Sequence, residues 1–227
     1  MTIAMNTGTI MDTAIHMPTE LSPAQLMLLT QWLSPSFPVG AFTYSHGLEL
    51  ILAEHPKTDV EAWLTQILRH GAGWNDAILL RAGYLGDAQE ADALGRALAP
   101  SKERALEADA QGTAFCKALT GAFAIDLGQL IYPVAIGAAA KTKNLPLEPV
   151  VELYLHSFIS NLIGAAQRLS PLGQTRAQAM LTRLGAVCEE VAQETRGLTL
   201  DDLGGATWAA DAASMRHETQ ETRIFRT

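Results

Sequence analysis

The sequence predicts an all-α protein that folds as a single compact domain of about eight to ten helices. Alanine and leucine dominate while runs of β-branched residues are scarce, which favours helix over strand. Apolar residues recur three and four positions apart, and no segment alternates polar and apolar residues over a strand length. With 227 residues, of which 48% are hydrophobic, the chain is long enough to build one large core.

The composition also excludes several classes of partner and location. A formal net charge of −8 argues against nucleic acid and anionic membrane as partners. Cys116 and Cys188 are isolated and form no CxxC pair, which fits a reducing compartment. Residues 153–167 are uncharged but too few and too polar to cross a bilayer, which needs about 20 apolar residues. There is no signal-peptide pattern, so we expect a soluble, cytoplasmic protein.

The first part of the chain is predicted to contain an arm, two helices and an unusual break. Residues 1–20 are rich in threonine and methionine without any period, and we expect a flexible N-terminal arm. Ser22 followed by Pro23 predicts the start of a first helix. This helix should end at residues 34–35, and a second helix is expected over 41–53.

The break between these helices, residues 34–49, is the most distinctive stretch of the chain. A continuous helix is prevented by two prolines and one glycine, Pro35, Pro38 and Gly40. Its apolar side chains are nevertheless too many for a solvated loop, and Glu49 is the only charged residue between positions 21 and 53. The pattern is typical of a buried corner or a docking surface.

The remaining helices follow from their capping and breaking residues. Residues 58–61 resemble a capping box, and Asn75 is expected to cap the helix that follows the break at 71–73. A second capping box at 199–202 predicts the start of a last helix, which should end near Met215. The other predicted helices cover 87–99, 101–121, 132–140, 150–169 and 174–194.

Motifs for catalysis are mostly missing from the sequence. There is no phosphate-binding loop and no nucleophile elbow, and residues 217–221 begin like a zinc-protease helix but lack its second histidine. His46 and Glu49 would share a helical face, where they could bind a cation or exchange protons, although a structural role is favoured. These absences argue against most catalytic explanations.

The C-terminal tail, residues 216–227, combines three arginines with Ile224 and Phe225. Arginine and aromatic residues are favoured anchors of protein interfaces, whereas ordinary termini are small and polar. The sequence therefore predicts a helical domain over 21–215 and a separate tail that becomes ordered on a partner.

Three ordered blocks make the chain resemble the urease accessory protein UreF family over roughly residues 24–227. The first block is 34–49, the second comprises 132–135, 160–162 and 167–174, and the third comprises 213–220 with 223–226. Many members carry glutamine where this chain has His46, which weakens a ligand role for that histidine. An aromatic residue that many members have near position 221 is absent.

The resemblance implies a non-enzymatic, all-α chaperone of urease maturation. Members tend to dimerise and form a complex with the accessory protein UreD (also called UreH) and the GTPase UreG, and this complex delivers nickel to apo-urease. The same analogy implies that the first and last blocks face these partners. The candidate interface residues are Pro38, Val39, Tyr44, His46, Glu49, Arg216, His217, Glu218, Gln220, Arg223, Phe225 and Arg226. The candidates for acting on the GTPase are Lys141, Arg216 and Arg223.

From the resemblance we therefore predict no enzyme activity and no cofactor. The rival hypothesis is a helical nickel carrier or metal-dependent enzyme that uses His46, Glu49 and His217.

Overall fold

Residues 20–226 are described by the structure, a computed structural model, and within them the regular elements are helices only. The predicted arm, residues 1–20, lies outside this range except for Glu20. The ten α-helices are α1 Pro23–Trp32, α2 Leu48–Glu54, α3 Val60–His70, α4 Ala72–Leu85, α5 Ala88–Ala97, α6 Lys102–Phe123, α7 Tyr132–Thr142, α8 Leu147–Leu169, α9 Gln174–Glu194 and α10 Trp208–His217. Short 3₁₀ turns lie at Ala41–Thr43 and Leu200–Asp202. The all-α prediction is confirmed.

The core is built around two closely packed helix pairs, α4 with α7 and α8 with α9. The α4–α7 contact depends on glycine, because a Cβ atom on Gly137 would lie 2.0 Å from the carbonyl oxygen of Leu80. Helix α8 is apolar on its wide face and buries nine side chains. None of the helices between residues 20 and 226 is long and apolar enough to span a bilayer.

The predicted second helix over 41–53 is wrong in its first half. The chain makes only a 3₁₀ turn at Ala41–Thr43 and enters α2 at Leu48. His46 and Gly47 both have positive φ, 52° and 77°, in the left-handed region that a right-handed helix cannot include. Residues 34–47 therefore form a folded corner before α2.

Three predicted helix starts also need correction. Asp59, not Thr58, caps α3 by accepting from the backbone of Ala62 at 3.1 Å. Asn75 caps no helix, because α4 already begins at Ala72 and the Asn75 amide bonds to the backbone of Gly205. The capping box at 199–202 is formed, but it starts only the 3₁₀ turn. The glycine pair at 204–205 separates this turn from the last helix, α10, which starts at Trp208.

Candidate functional site

The corner, residues 34–49, and the described part of the tail, residues 216–226, lie against each other. The backbone N–H of Arg226 donates to the carbonyl of Thr43 at 2.8 Å. The predicted boundary between domain and tail falls inside α10, which continues to His217. The tail is thus packed on the corner of its own chain, and its binding to a partner stays a prediction.

Glu49 joins the two segments. Its carboxylate is 5% exposed and lies in the first turn of α2. It accepts hydrogen bonds from the backbone N–H groups of Ile224 at 2.7 Å and Phe225 at 2.8 Å, and it lies 3.1 Å from Nε2 of His217. These partners satisfy a buried carboxylate that would otherwise strongly destabilise the fold. The geometry matches the structural interpretation of Glu49.

His217 is fully buried where α2, α6, α10 and the tail meet. Its Nδ1 atom lies 2.8 Å from Oε2 of Glu103 on α6, while its Nε2 atom faces Glu49. Arg223 of the tail donates to the other oxygen of Glu103 at 2.5 Å. We call Glu49, Glu103, His217 and Arg223 the clasp.

His46 belongs to a different cluster from the clasp. Positive φ at His46 takes it out of the α2 helix, so it does not share a helical face with Glu49 as predicted. Its Nε2 atom lies 3.1 Å from Glu107, and Arg104 contacts both of these side chains. His46, Glu49 and His217 therefore do not converge into the metal site of the rival hypothesis. Residues 20–226 contain no group of three or more His, Cys, Asp or Glu side chains that could hold a metal ion.

The charges of this second cluster are set by burial and by Arg104. Burial would raise the pKa of Glu107, but the neighbouring Arg104 and His46 outweigh it and lower that pKa to about 2. Burial and the Arg104 guanidinium both lower the pKa of His46. The imidazole of His46 is thus neutral and Glu107 ionised near neutral pH.

A cavity of about 230 Å³ lies beside this cluster, and residues of α4, α6 and α10 are among those that line it. Asp76 faces it, accepts a hydrogen bond from the Tyr154 hydroxyl at 2.7 Å, and has a pKa that burial raises to about 6. Asp211 also lines the cavity and accepts from the backbone of Thr207 at 3.0 Å. Both carboxyl groups thus accept hydrogen bonds from other groups of the same chain.

The predicted interface residues divide into buried and accessible sets. The buried ones are Val39, Tyr44, His46, Glu49, His217 and Phe225. The exposed or half-buried ones are Pro38, Arg216, Glu218, Gln220, Arg223 and Arg226. The burial of Phe225 was not expected from the sequence, because it depends on Arg168 of the distant helix α8. The guanidinium of Arg168 lies over the Phe225 ring, 4.4 Å from the ring centre. A buried side chain can shape a partner surface but cannot touch a partner in this conformation.

The three candidates for acting on the GTPase occupy different settings. Lys141 on α7 donates to the carbonyl of Leu85 at 3.0 Å. Arg216 pairs with Glu54 across the surface and is 60% exposed. Arg223 is committed to Glu103 in the clasp.

Exposed apolar side chains occur on α10, on the tail and on the corner, and the two on α10, Trp208 and Met215, were not identified from the sequence. Trp208 is 84% exposed, Ile224 69%, Phe42 53% and Met215 51%. Trp208, Ala212 and Met215 are four and three residues apart and lie on the outer face of α10, while the opposite face packs on α2 and α6. Their spacing was the available signal, but it also fits an ordinary core-facing stripe.

Comparison with known proteins gives the relationships of this chain. The family model described as UreF matches residues 55–185. A urease accessory protein UreF of Roseobacter denitrificans is 47% identical over 213 residues, covering 91% of this chain and 96% of the relative. UreF of Cereibacter sphaeroides (strain KD131) is 48% identical over 208 residues, covering 90% and 99%. UreF of Ruegeria pomeroyi is 42% identical over 217 residues, covering 92% and 99%. With a family model over more than half of its length and relatives this similar along nearly all of it, the chain belongs to the UreF family.

Proposed function

We propose that this chain is a urease accessory protein, a non-enzymatic adaptor in the insertion of nickel into apo-urease. In this role it bridges UreD (UreH) and the GTPase UreG in the cytoplasm and forms a homodimer within the complex. Membership of the UreF family and the printed names of its relatives, urease accessory proteins, support the proposal.

The observation that carries the adaptor role is the set of large exposed apolar side chains on α10, the tail and the corner. Trp208 and Met215 lie on the outer face of α10, Ile224 on the tail and Phe42 on the corner that the tail touches. Large exposed apolar side chains on connected elements are typical of protein interfaces, and tryptophan is a frequent binding hot spot. We name these four residues the docking face.

The structure changes how this proposal should be tested. Deleting residues 215–227 would remove His217 and Phe225, which are buried, and would leave Glu49 and Glu103 without their partners. Loss of binding after such a deletion would therefore not separate a lost interface from a damaged fold. Substitutions on exposed atoms avoid this problem.

The test is the double substitution Trp208→Asp and Met215→Asp, with Leu85→Asp as the matched control. Leu85 is also an exposed apolar residue, 63% accessible, at the end of α4. We expect the double variant to keep its helical content and melting temperature but to bind UreD at least tenfold more weakly in co-purification and to activate urease poorly. Leu85→Asp should behave like the unmodified chain. Unchanged UreD binding and urease activation in the double variant would overturn the proposed docking face.

Action on the GTPase is the finer part of the proposal, and Arg216 supports it best. Its guanidinium is largely exposed and has only a surface carboxylate, Glu54, as partner, so it is free to move to a phosphate group. GTP turnover by UreG should fall with Arg216→Ala in the complex, with Lys141→Ala measured in parallel. Equal turnover by all complexes would exclude both side chains from this role. Arg223→Ala is less informative, because it also breaks the clasp.

A further inference from the structure

The ring of His217 faces a carboxylate oxygen on each side. The distances are 2.8 Å from Nδ1 to Glu103 and 3.1 Å from Nε2 to Glu49, and the ring has no exposed surface. A neutral imidazole carries one N–H and one bare nitrogen. In that form one of the two contacts would bring a nitrogen lone pair against a carboxylate oxygen, without water to separate them.

The charge balance of the clasp points the same way. Two buried carboxylates, Glu49 and Glu103, are opposed by Arg223 alone if His217 is neutral, which leaves one negative charge uncompensated. With both ring nitrogens protonated, the four side chains sum to zero and both short contacts become charge-assisted hydrogen bonds.

We infer that His217 is held as an imidazolium and that its second ring proton works as a latch. While this proton is bound to His217, the tail stays on the corner, and when His217 loses the proton, the tail loosens. Loss of that proton turns one contact of His217 from attraction into repulsion. Glu49 is the carboxylate that also receives the N–H groups of Ile224 and Phe225, so a disturbance at His217 reaches the tail directly.

The other charged groups around α10 do not replace this proton. Arg216 on α10 points to Glu54 of α2 at the surface. Glu218, just after α10, accepts from the backbone of Lys102 at 2.8 Å. The groups that face His217 itself are Glu49 from α2 and Glu103 from α6, with Arg223 of the tail on the far side of Glu103.

The latch couples pH to the docking face, because the backbone N–H of Ile224 is held by Glu49 and His217 lies on α10, while Ile224 and α10 also contribute side chains to the docking face. That consequence rests on the proposed function, since it matters only if partners bind there. The latch itself is a property of the isolated chain, and it can be tested without any partner.

Nuclear magnetic resonance on the full chain, with ¹⁵N-labelled histidine, tests the protonation state directly. We expect both ring nitrogens of His217 to be protonated wherever the tail is attached. The backbone amides of Ile224 and Phe225 should lose protection from hydrogen exchange, roughly tenfold after correction for intrinsic rates, as rising pH deprotonates the ring. A neutral His217 ring alongside a fully protected tail would overturn the inference, and so would protection that stays constant while the ring titrates.

A substitution provides the second arm. The amide of His217→Gln can donate to one carboxylate but presents its oxygen to the other, so the tail amides should be less protected at every pH and should show no transition. His156→Gln, at an exposed histidine of α8, should retain the transition of the unmodified chain. If His217→Gln keeps the pH-dependent transition, the latch lies elsewhere. If that variant does not fold, the measurements on the unmodified chain decide alone.

Discussion

At the scale of single residues, Glu49 shows how one carboxylate can hold distant parts of a chain together. It accepts from two tail amides and faces His217, and it is almost inaccessible to water. Its isolation in an apolar stretch was visible in the sequence and correctly marked it as unusual. The rival hypothesis had grouped Glu49 with His217 as metal ligands, but their direct contact was not predictable, because the two are 168 positions apart and the packing of α10 on α2 brings them together.

Replacing Glu49 with glutamine should destabilise the protein by about 2–3 kcal/mol. The substitution removes a charge that two backbone N–H groups and His217 contact, while the shape of the side chain is kept. The free energy of unfolding in urea measures the effect. Glu54→Gln, in the surface pair with Arg216, is the control and should cost less than about 1 kcal/mol. Equal costs for the two variants would show that Glu49 has no special structural role.

Asp76 offers a stabilising substitution whose effect depends on pH. Its pKa of about 6 in the fold exceeds the ordinary value of 3.8, so the native state binds this proton more tightly than the unfolded state. Ionised Asp76 therefore lowers stability increasingly as pH rises from 3.8 through 6, and the cost is complete above 6. Asp76→Asn should raise the free energy of unfolding by about 1–3 kcal/mol at pH 7.5 and by little at pH 4. A stability gain that is the same at both pH values would contradict this explanation.

At the scale of elements, most helix positions were predictable but the left-handed backbone of the corner was not. Proline and serine marked the start of α1, and long apolar stripes marked α8 and α9. The start of α2 depends instead on positive φ at His46 and Gly47. Gly47 is a special position twice over, because a Cβ there would also lie 2.8 Å from Cβ of Ala213 on α10. A histidine gives no sequence signal for such a conformation.

Two glycine-to-alanine substitutions should have opposite effects, one at the close contact of α4 with α7 and one in an open part of α9. Gly137→Ala would place its Cβ 2.0 Å from the backbone oxygen of Leu80, which cannot move without shifting α4. We expect a loss of at least about 2 kcal/mol in unfolding free energy. Gly185→Ala, inside α9 with open space around it, should stabilise the protein by about 0.5–1 kcal/mol. Thermal melting of both variants checks the pair, and a tolerated Gly137→Ala would mean that the helices can separate.

At the scale of the whole molecule, the balance of buried charge makes part of the stability depend on pH. The fold lowers the pKa of His46 below its ordinary value of 6.5, and it lowers the pKa of Glu107 from 4.5 to about 2. As pH falls, each of these groups is therefore protonated in the unfolded chain before it is protonated in the native state. Stability from His46 is complete above about 6.5 and is lost as pH falls below that value. Stability from Glu107 is complete above 4.5 and is lost as pH falls towards 2.

His46→Gln isolates the first of these contributions. Urea unfolding between pH 7 and pH 5 should show a smaller loss of stability in the variant than in the unmodified chain, because glutamine takes up no proton in either state. Glu107 should titrate at lower pH and be less affected. Identical pH slopes for the two proteins would mean that native His46 is not kept neutral.

The sequence identified the class of fold and the two segments that meet at the docking face, but not that they touch. Arginine and aromatic residues in the tail suggested contact with another protein, and the structure instead places Phe225 beneath Arg168 of the same chain. Composition cannot separate the two cases, since the same residue types stabilise a terminus on its own domain or on a partner. Only the exposure of Trp208, Met215, Ile224 and Phe42 distinguishes the part left over for binding.

The clasp also has a consequence for the order in which the protein is made. Glu49 and Glu103 leave the ribosome long before His217, Arg223 and the two tail amides that will neutralise them. During synthesis, the junction where α10 will pack on α2 and α6 must therefore remain hydrated, since two buried carboxylates without a cation would be too costly. Closure of this junction becomes one of the last steps of folding. A chain cut short before α10 would keep that junction open to water, where proteases and chaperones could recognise it as unfinished.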